Sequence, residues 1–181
     1  MRNESGTIAA ISTAMSNSGI GIVRMSGEEA VEIAERIYKG KNEKKLSKQP
    51  THTIHYGYIV DGEDTIDEVL VMLMRGPHSY TGEDTVEINC HGGVYITNKV
   101  VDLCLHHGAR LAERGEFSKR AFLNGRIDLS QAEAISDLIT ANNDQAAKLA
   151  LKGIQGNITN FIKDLREDLI KIITQIEVNI D

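Results

Sequence analysis

Apolar residues recur along this chain in two rhythms. Residues 7–11 and 19–25 are short apolar runs rich in β-branched side chains, and they predict two strands joined by a small, polar loop over residues 12–18. Ser26 followed by Glu29 has the spacing of a capping box. Ala30, Ile33, Ala34 and Ile37 then repeat at helical spacing, predicting a helix over about 27–38. Residues 53–60 and 66–74 predict a strand pair closed by the Asp61-Gly62 turn. Residues 85–89 alternate as a further strand, with Thr85 and Glu87 on one face and Val86 and Ile88 on the other. Val94, Thr97, Val100, Val101 and Cys104 form one helical face ending near His107-Gly108, and residues 109–112 predict a short strand.

Beyond Glu116 the rhythm becomes helical throughout. Ser130 and Glu133 have capping-box spacing ahead of Ile135, Leu138 and Ile139. The last helix carries Ile158, Phe161, Ile162, Leu165, Leu169, Ile172, Ile173 and Ile176, a broad apolar stripe that calls for a partner. This change of rhythm predicts an α+β (or α/β) domain with a small mixed sheet over residues 1–119. The first part of a helical domain follows over residues 120–181.

A hydrophobic content of 41% and a charged content of 25% fit a soluble globular chain. Net charge is −6, so nucleic-acid contact would require a local basic patch or a partner. Lys39, Lys41, Lys44, Lys45 and Lys48 are the dense basic run, read as a solvated loop. The two cysteines, Cys90 and Cys104, lack metal-pair spacing, which points to a reduced, cytoplasmic protein with no metal site. No apolar run is long enough to cross a bilayer, and the opening Met1-Arg2-Asn3-Glu4-Ser5-Gly6 lacks a signal-peptide core.

Two polar, glycine-containing segments hold the candidate chemistry. Glu83, Asp84 and Glu87 gather in the first. A carboxylate projecting from a strand can accept two parallel hydrogen bonds from an N–H/NH₂ edge, as pterins and guanines present; an exposed strand residue is the plainer reading of Glu87. His91-Gly92-Gly93 precedes a helix N-terminus, where backbone N–H groups favour anions, although a lone histidine there is more often structural. Arg24 ends a strand, and Arg114, Arg120 and Arg126 lie in the second segment. With Glu87 these arginines could hold an elongated ligand, amidine-like at one end and anionic at the other. There is no G-x-x-x-x-G-K-[ST] loop for nucleotide phosphates and no nucleophile–base pair, so no catalytic residue is assigned in this chain.

Several stretches together resemble the amino-terminal region of the tRNA modification GTPase family MnmE, also called TrmE. They are Gly21-Ile22-Val23-Arg24-Met25-Ser26-Gly27, Ser79-Tyr80-Thr81-Gly82-Glu83-Asp84, His91-Gly92-Gly93, Arg114-Gly115-Glu116-Phe117-Ser118, Arg120-Ala121-Phe122-Leu123-Asn124-Gly125 and Asp128-Leu129-Ser130-Gln131-Ala132-Glu133-Ala134-Ile135. The resemblance implies a folate-binding domain like that of aminomethyltransferases, followed by a helical domain that a G domain interrupts. The chain would then be a fragment without that G domain.

The resemblance further implies a homodimer working with the flavoprotein MnmG on tRNA. Together they add an aminomethyl-type group (carboxymethylaminomethyl) to C5 of the wobble uridine. The one-carbon unit comes from 5-formyl- or 5,10-methylene-tetrahydrofolate. GTP, potassium and magnesium would act only through the G domain. By position, Arg24, Glu87 and Arg126 match the family's folate contacts, with His91, Gly92, Gly93 and Arg120 as weaker candidates. The loop before Arg24 departs from the family pattern: it reads Ala14-Met15-Ser16-Asn17-Ser18-Gly19, without the usual prolines and arginine. A stand-alone folate-dependent aminomethyltransferase-like enzyme and a scaffold with a degenerate pocket are the alternative readings.

Overall fold

In the computed structural model the chain is described over residues 6–41 and 44–178; the Met1–Ser5 opening lies outside the described residues. Two compact units divide at Arg126/Ile127.

The first unit is built on a seven-stranded sheet in the order β3-β4-β5-β6-β2-β1-β7. Its strands are β1 (Ile8–Ile11), β2 (Ser18–Ser26), β3 (Tyr38–Gly40), β4 (Thr53–Asp61), β5 (Asp64–Met74), β6 (Thr85–Gly92) and β7 (Arg110–Leu111). Neighbouring strands run antiparallel except β1 and β7, which pair in parallel. The mixed sheet expected from the sequence is therefore present. The expected turn at Asp61-Gly62 closes the β4–β5 pair, in which Asp61 faces Asp64.

Helices α1 (Ala30–Ile37) and α2 (Val94–His106) supply the core with Ile33, Ile37, Val100 and Cys104, packed with Val23, Met25, Val71, Val86 and Ile88 of the strands. Alternation along each strand puts these side chains on one face. The opposite face is left with exposed Ile20, Ile54, Tyr56 and Leu70. One glycine fixes the corner between β2 and α1. Gly27 adopts φ +138°, and a Cβ there would lie 2.6 Å from the Thr7 Cα. Only glycine combines that φ with so close a crossing.

Two local readings differ from the sequence expectation. Ser26 does not cap α1: the helix begins later, at Ala30, and the Ser26 hydroxyl is bound to Thr81 and Glu83 instead. The Glu29 N–H is taken by the Thr7 hydroxyl at 3.0 Å, so a tertiary bond replaces the local cap. The lysine run is also not wholly loop. It includes β3, paired to β4, and a 3-10 turn over Leu46–Lys48 whose Leu46 is fully buried.

Helix α3 (Glu116–Leu123) belongs to the first unit, so the division falls seven residues beyond the expected boundary at Lys119. The reason is Arg120, which is buried and bonded to the carbonyl of Gly6 at 2.8 Å.

The second unit contains α4 (Leu129–Thr140), α5 (Asp144–Ile154) and α6 (Asn157–Val178). A capping box opens α4, but it is formed by Asp128 and Gln131 rather than by Ser130 and Glu133. Each closes the other's orphan N–H: Gln131 N donates to Asp128 at 2.8 Å, and Asp128 N donates to Gln131 at 2.9 Å. Along α6, Phe161, Ile162, Leu165, Leu169, Ile172, Ile173 and Ile176 are about half exposed, as the unpartnered stripe predicts. The Ile158 side chain lies outside the described residues.

Candidate functional site

β2 and β6 run antiparallel with Arg24 opposite Glu87. Both side chains project from the face away from the helices. Arg24 Nε and Nη2 each lie 2.7 Å from Glu87 Oε1. The second oxygen, Oε2, accepts no hydrogen bond among the described residues, and the Glu87 side chain is 14% exposed. A part-buried carboxylate with one oxygen engaged and one open is a hydrogen-bond acceptor awaiting a donor.

Two rings stand beside Arg24. Its guanidinium carbon lies 5.8 Å from the centroid of Tyr80 and 5.6 Å from that of Phe117. These distances suit cation–π attraction, and flat faces beside a guanidinium also suit a flat heterocycle. Neither ring was singled out from the sequence. Both lie inside the two polar segments, in a chain with only eight Phe and Tyr residues and no tryptophan. That scarcity was the available signal.

The carboxylates clustered in the first polar segment separate into distinct roles. Asp84 accepts from the Gly76 N–H at 2.9 Å and pairs with Arg75 at 3.2 Å, folding the loop over 76–84 onto itself. Glu83 Oε2 accepts from Ser26 Oγ at 2.7 Å and from Arg120 Nη1 at 2.9 Å. Of the three, Glu87 alone is paired with Arg24 on the open sheet face, with Oε2 unengaged among the described residues.

The other sequence candidates fare differently. Arg120 is 8% exposed and is held by Glu83, Glu116 and the Gly6 carbonyl, so it is an internal tie rather than a ligand arm. Glu116, its neighbour, also bonds Arg110, which with the Glu113 N–H holds the carboxyl down at a pKa of about 2. Arg126 is exposed at the end of the first unit. Its backbone N–H donates to Ala121 O at 2.8 Å, and no bond joins its side chain to Arg24 or Glu87.

His91 stands four residues further along β6, roughly 13 Å from Glu87 at strand rise. It is exposed, and its Nδ1 meets Asp67 Oδ1 at 2.6 Å, which raises the imidazole pKa. Gly92 is not a ligand cradle: a Cβ there would lie 2.2 Å from Ser18 Oγ and 2.6 Å from Ser18 O, so β2 itself needs the space. Gly93 precedes α2 and has nothing within 4 Å of a built Cβ, leaving that helix start open. Among the described residues no group of His, Cys, Asp and Glu could hold a metal ion. No helix among them is long and apolar enough to cross a membrane.

A family model described as "GTP-binding protein TrmE N-terminus" matches residues 7–126, the span that holds every one of these side chains. The chain belongs to the MnmE (TrmE) family. A second model, "MnmE helical domain", matches residues 129–181.

Relatives agree. The tRNA modification GTPase MnmE of Bacillus pumilus is 55% identical over 177 residues, covering 97% of this chain and 39% of that protein. Those of Enterococcus faecalis and Levilactobacillus brevis are 54% and 52% identical over 180 residues, covering 98% of this chain and 38% of each relative. The chain thus spans under two-fifths of the length of these MnmE proteins. The two family matches meet where the structure divides, between Arg126 and Leu129.

Proposed function

We propose that the first unit binds a reduced folate, 5-formyl- or 5,10-methylene-tetrahydrofolate, for a tRNA modification GTPase that acts with MnmG on C5 of the wobble uridine. The observation that carries this reading is the open Glu87 Oε2 beside Arg24, with Tyr80 and Phe117 at its flank. These residues fit the ligand. The carboxylate receives an N–H of the pterin edge, the rings give a flat apolar wall, and Arg24 supplies positive charge toward polar or anionic atoms. Arg126, exposed and with no side-chain hydrogen bond among the described residues, is available to the far, anionic end. Bound folate would supply the one-carbon unit.

The chain's own part is to hold, orient and shield. It has no nucleophile–base pair in the site, which disfavours a stand-alone aminomethyltransferase. GTP hydrolysis, with potassium and magnesium, is assigned to a G domain that this chain does not contain, since it has no phosphate-cradling loop. The exposed Ile20, Ile54, Tyr56 and Leu70 on the open sheet face support pairing with a second copy.

Calorimetric titration of the chain with 5-formyltetrahydrofolate tests the reading. Saturable binding, one folate per chain, is expected. A flat titration of folded protein would leave the scaffold reading in its place.

A further inference from the structure

Glu83 is the point where three elements meet. Its Oε2 accepts from Ser26 Oγ on β2 at 2.7 Å and from Arg120 Nη1 on α3 at 2.9 Å, while its backbone belongs to the 76–84 loop. Ser26 is two residues from Arg24 on the same strand face. Arg120 is one turn from Phe117 on α3. Tyr80 is three residues before Glu83 and is itself tied to α3, its hydroxyl 2.8 Å from Ser118 Oγ. Asn124 Nδ2 adds a bond to Thr81 O at 2.7 Å. Loop, helix and strand are thus joined around one carboxylate, and the two rings they carry are those beside Arg24.

We propose that Glu83 is a positioning residue for Arg24. By bridging Ser26 to Arg120 it sets the places of the Tyr80 and Phe117 rings, and these fix the direction of the Arg24 guanidinium and its grip on Glu87 Oε1. Glu83 does not touch the ligand; it acts through Arg24. Removing its charge does not strand Arg120, which keeps Glu116 and the Gly6 carbonyl. The isosteric Glu83→Gln is therefore expected to fold.

The ligand half of the test rests on the folate reading above; the other half does not. Without ligand, the Arg24 Nε–H signal in a ¹⁵N spectrum, assigned with Arg24→Lys, should be slow to exchange in the native chain. In Glu83→Gln its exchange should be several-fold faster while amides of β2 and β6 keep their protection. Ser26→Ala, which removes the other bond to Oε2, should move the same signal the same way, and it serves should Glu83→Gln not fold. An unchanged Arg24 signal in the folded variant overturns the proposal.

With ligand, Glu83→Gln should weaken 5-formyltetrahydrofolate by about fivefold to twentyfold, but by less than about twofold when Arg24 is already alanine. Equal losses in both backgrounds overturn the proposal, because Glu83 would then act independently of Arg24. If the native chain binds no folate, the folate reading fails, and the exchange measurement alone decides the role of Glu83.

Discussion

Arg24 spends two of its nitrogens on a single oxygen of Glu87, Nε and Nη2 both reaching Oε1 at 2.7 Å. The other oxygen is left free, and this asymmetry sets the first prediction. Glu87→Gln keeps an acceptor oxygen but loses the charge, and Glu87→Ala loses both. A charge-assisted hydrogen bond contributes roughly 1.5–3 kcal/mol, so Glu87→Ala should weaken 5-formyltetrahydrofolate by about tenfold or more, and Glu87→Gln by less. Calorimetry on folded variants reads this directly, and an unchanged dissociation constant for Glu87→Ala removes the residue from the site.

Glu116 predicts an acid-sensitive tie. Its carboxyl sits at a pKa of about 2 in the folded chain, against an ordinary 4.5, chiefly because Arg110 bonds it. A depressed pKa means that the unfolded chain binds the proton more readily. The stabilisation is therefore complete above the ordinary value and is lost as the pH falls from about 4.5 toward 2. Denaturant melts of the native chain should show stability falling across that window. Glu116→Gln should be less stable at neutral pH and should show a shallower fall. Parallel curves for the two would refute the assignment.

Adjacent glycines should behave differently. Gly92→Ala forces a methyl into Ser18, 2.2 Å from its Oγ and 2.6 Å from its carbonyl oxygen. Backbone cannot yield as a side-chain tip can, so a loss of about 1–3 kcal/mol is expected. Gly93→Ala meets nothing within 4 Å and should cost under about 1 kcal/mol. Urea melts of the two variants give the comparison, and equal midpoints would contradict the crowding at Gly92.

The positions of most strands along the chain, and the face of β6, were readable in advance, whereas β3 and the order of strands within the sheet were not. Alternation gave Glu87 its face, and Asp61-Gly62 gave the β4–β5 turn, because both signals are local. The capping readings at Ser26 and Ser130 failed for one physical reason. A capping pattern succeeds only if its hydroxyl is free and its position is where the helix starts, and neighbours decide both. Glu83 and Thr81 claim the Ser26 hydroxyl, and the Asp128–Gln131 box starts α4 two residues before Ser130, which leaves Ser130 inside the helix. The site was half visible. Arg24 and Glu87 are 63 positions apart, and strand pairing brings them together. Arg120, grouped with the other arginines as a ligand arm, is buried by contacts with Gly6 and Glu83 that no local spacing announces. Tyr80 and Phe117 are side chains whose role exists only once α3 lies beside the loop.

The open sheet face yields a prediction on association. Leu70→Lys and Ile54→Glu each place a charge on a surface that is exposed in a single copy and is covered in the proposed homodimer. Light scattering at micromolar concentration should show the native chain as a dimer and the double variant as a monomer. A shorter chain ending at Arg126 removes the apolar α6 stripe and should remain a dimer. If it runs as a monomer, the helices rather than the sheet cause association.

The absence of a phosphate-cradling loop gives a further expectation. The 181-residue chain should neither bind nor hydrolyse GTP, as measured by fluorescent-nucleotide binding and phosphate release. Turnover in a pure sample would contradict the assignment of hydrolysis to another domain.

Arg120 also clasps the carbonyl of Gly6, so α3 and the residue leading into β1 meet at one corner of the first unit. A polypeptide can enter and leave such a body by adjacent doors. Segments spliced ahead of Gly6 or after α3 therefore start from the same side and leave the sheet undisturbed, which makes the unit portable: it can be fused, swapped between relatives or circularly joined with a short tether.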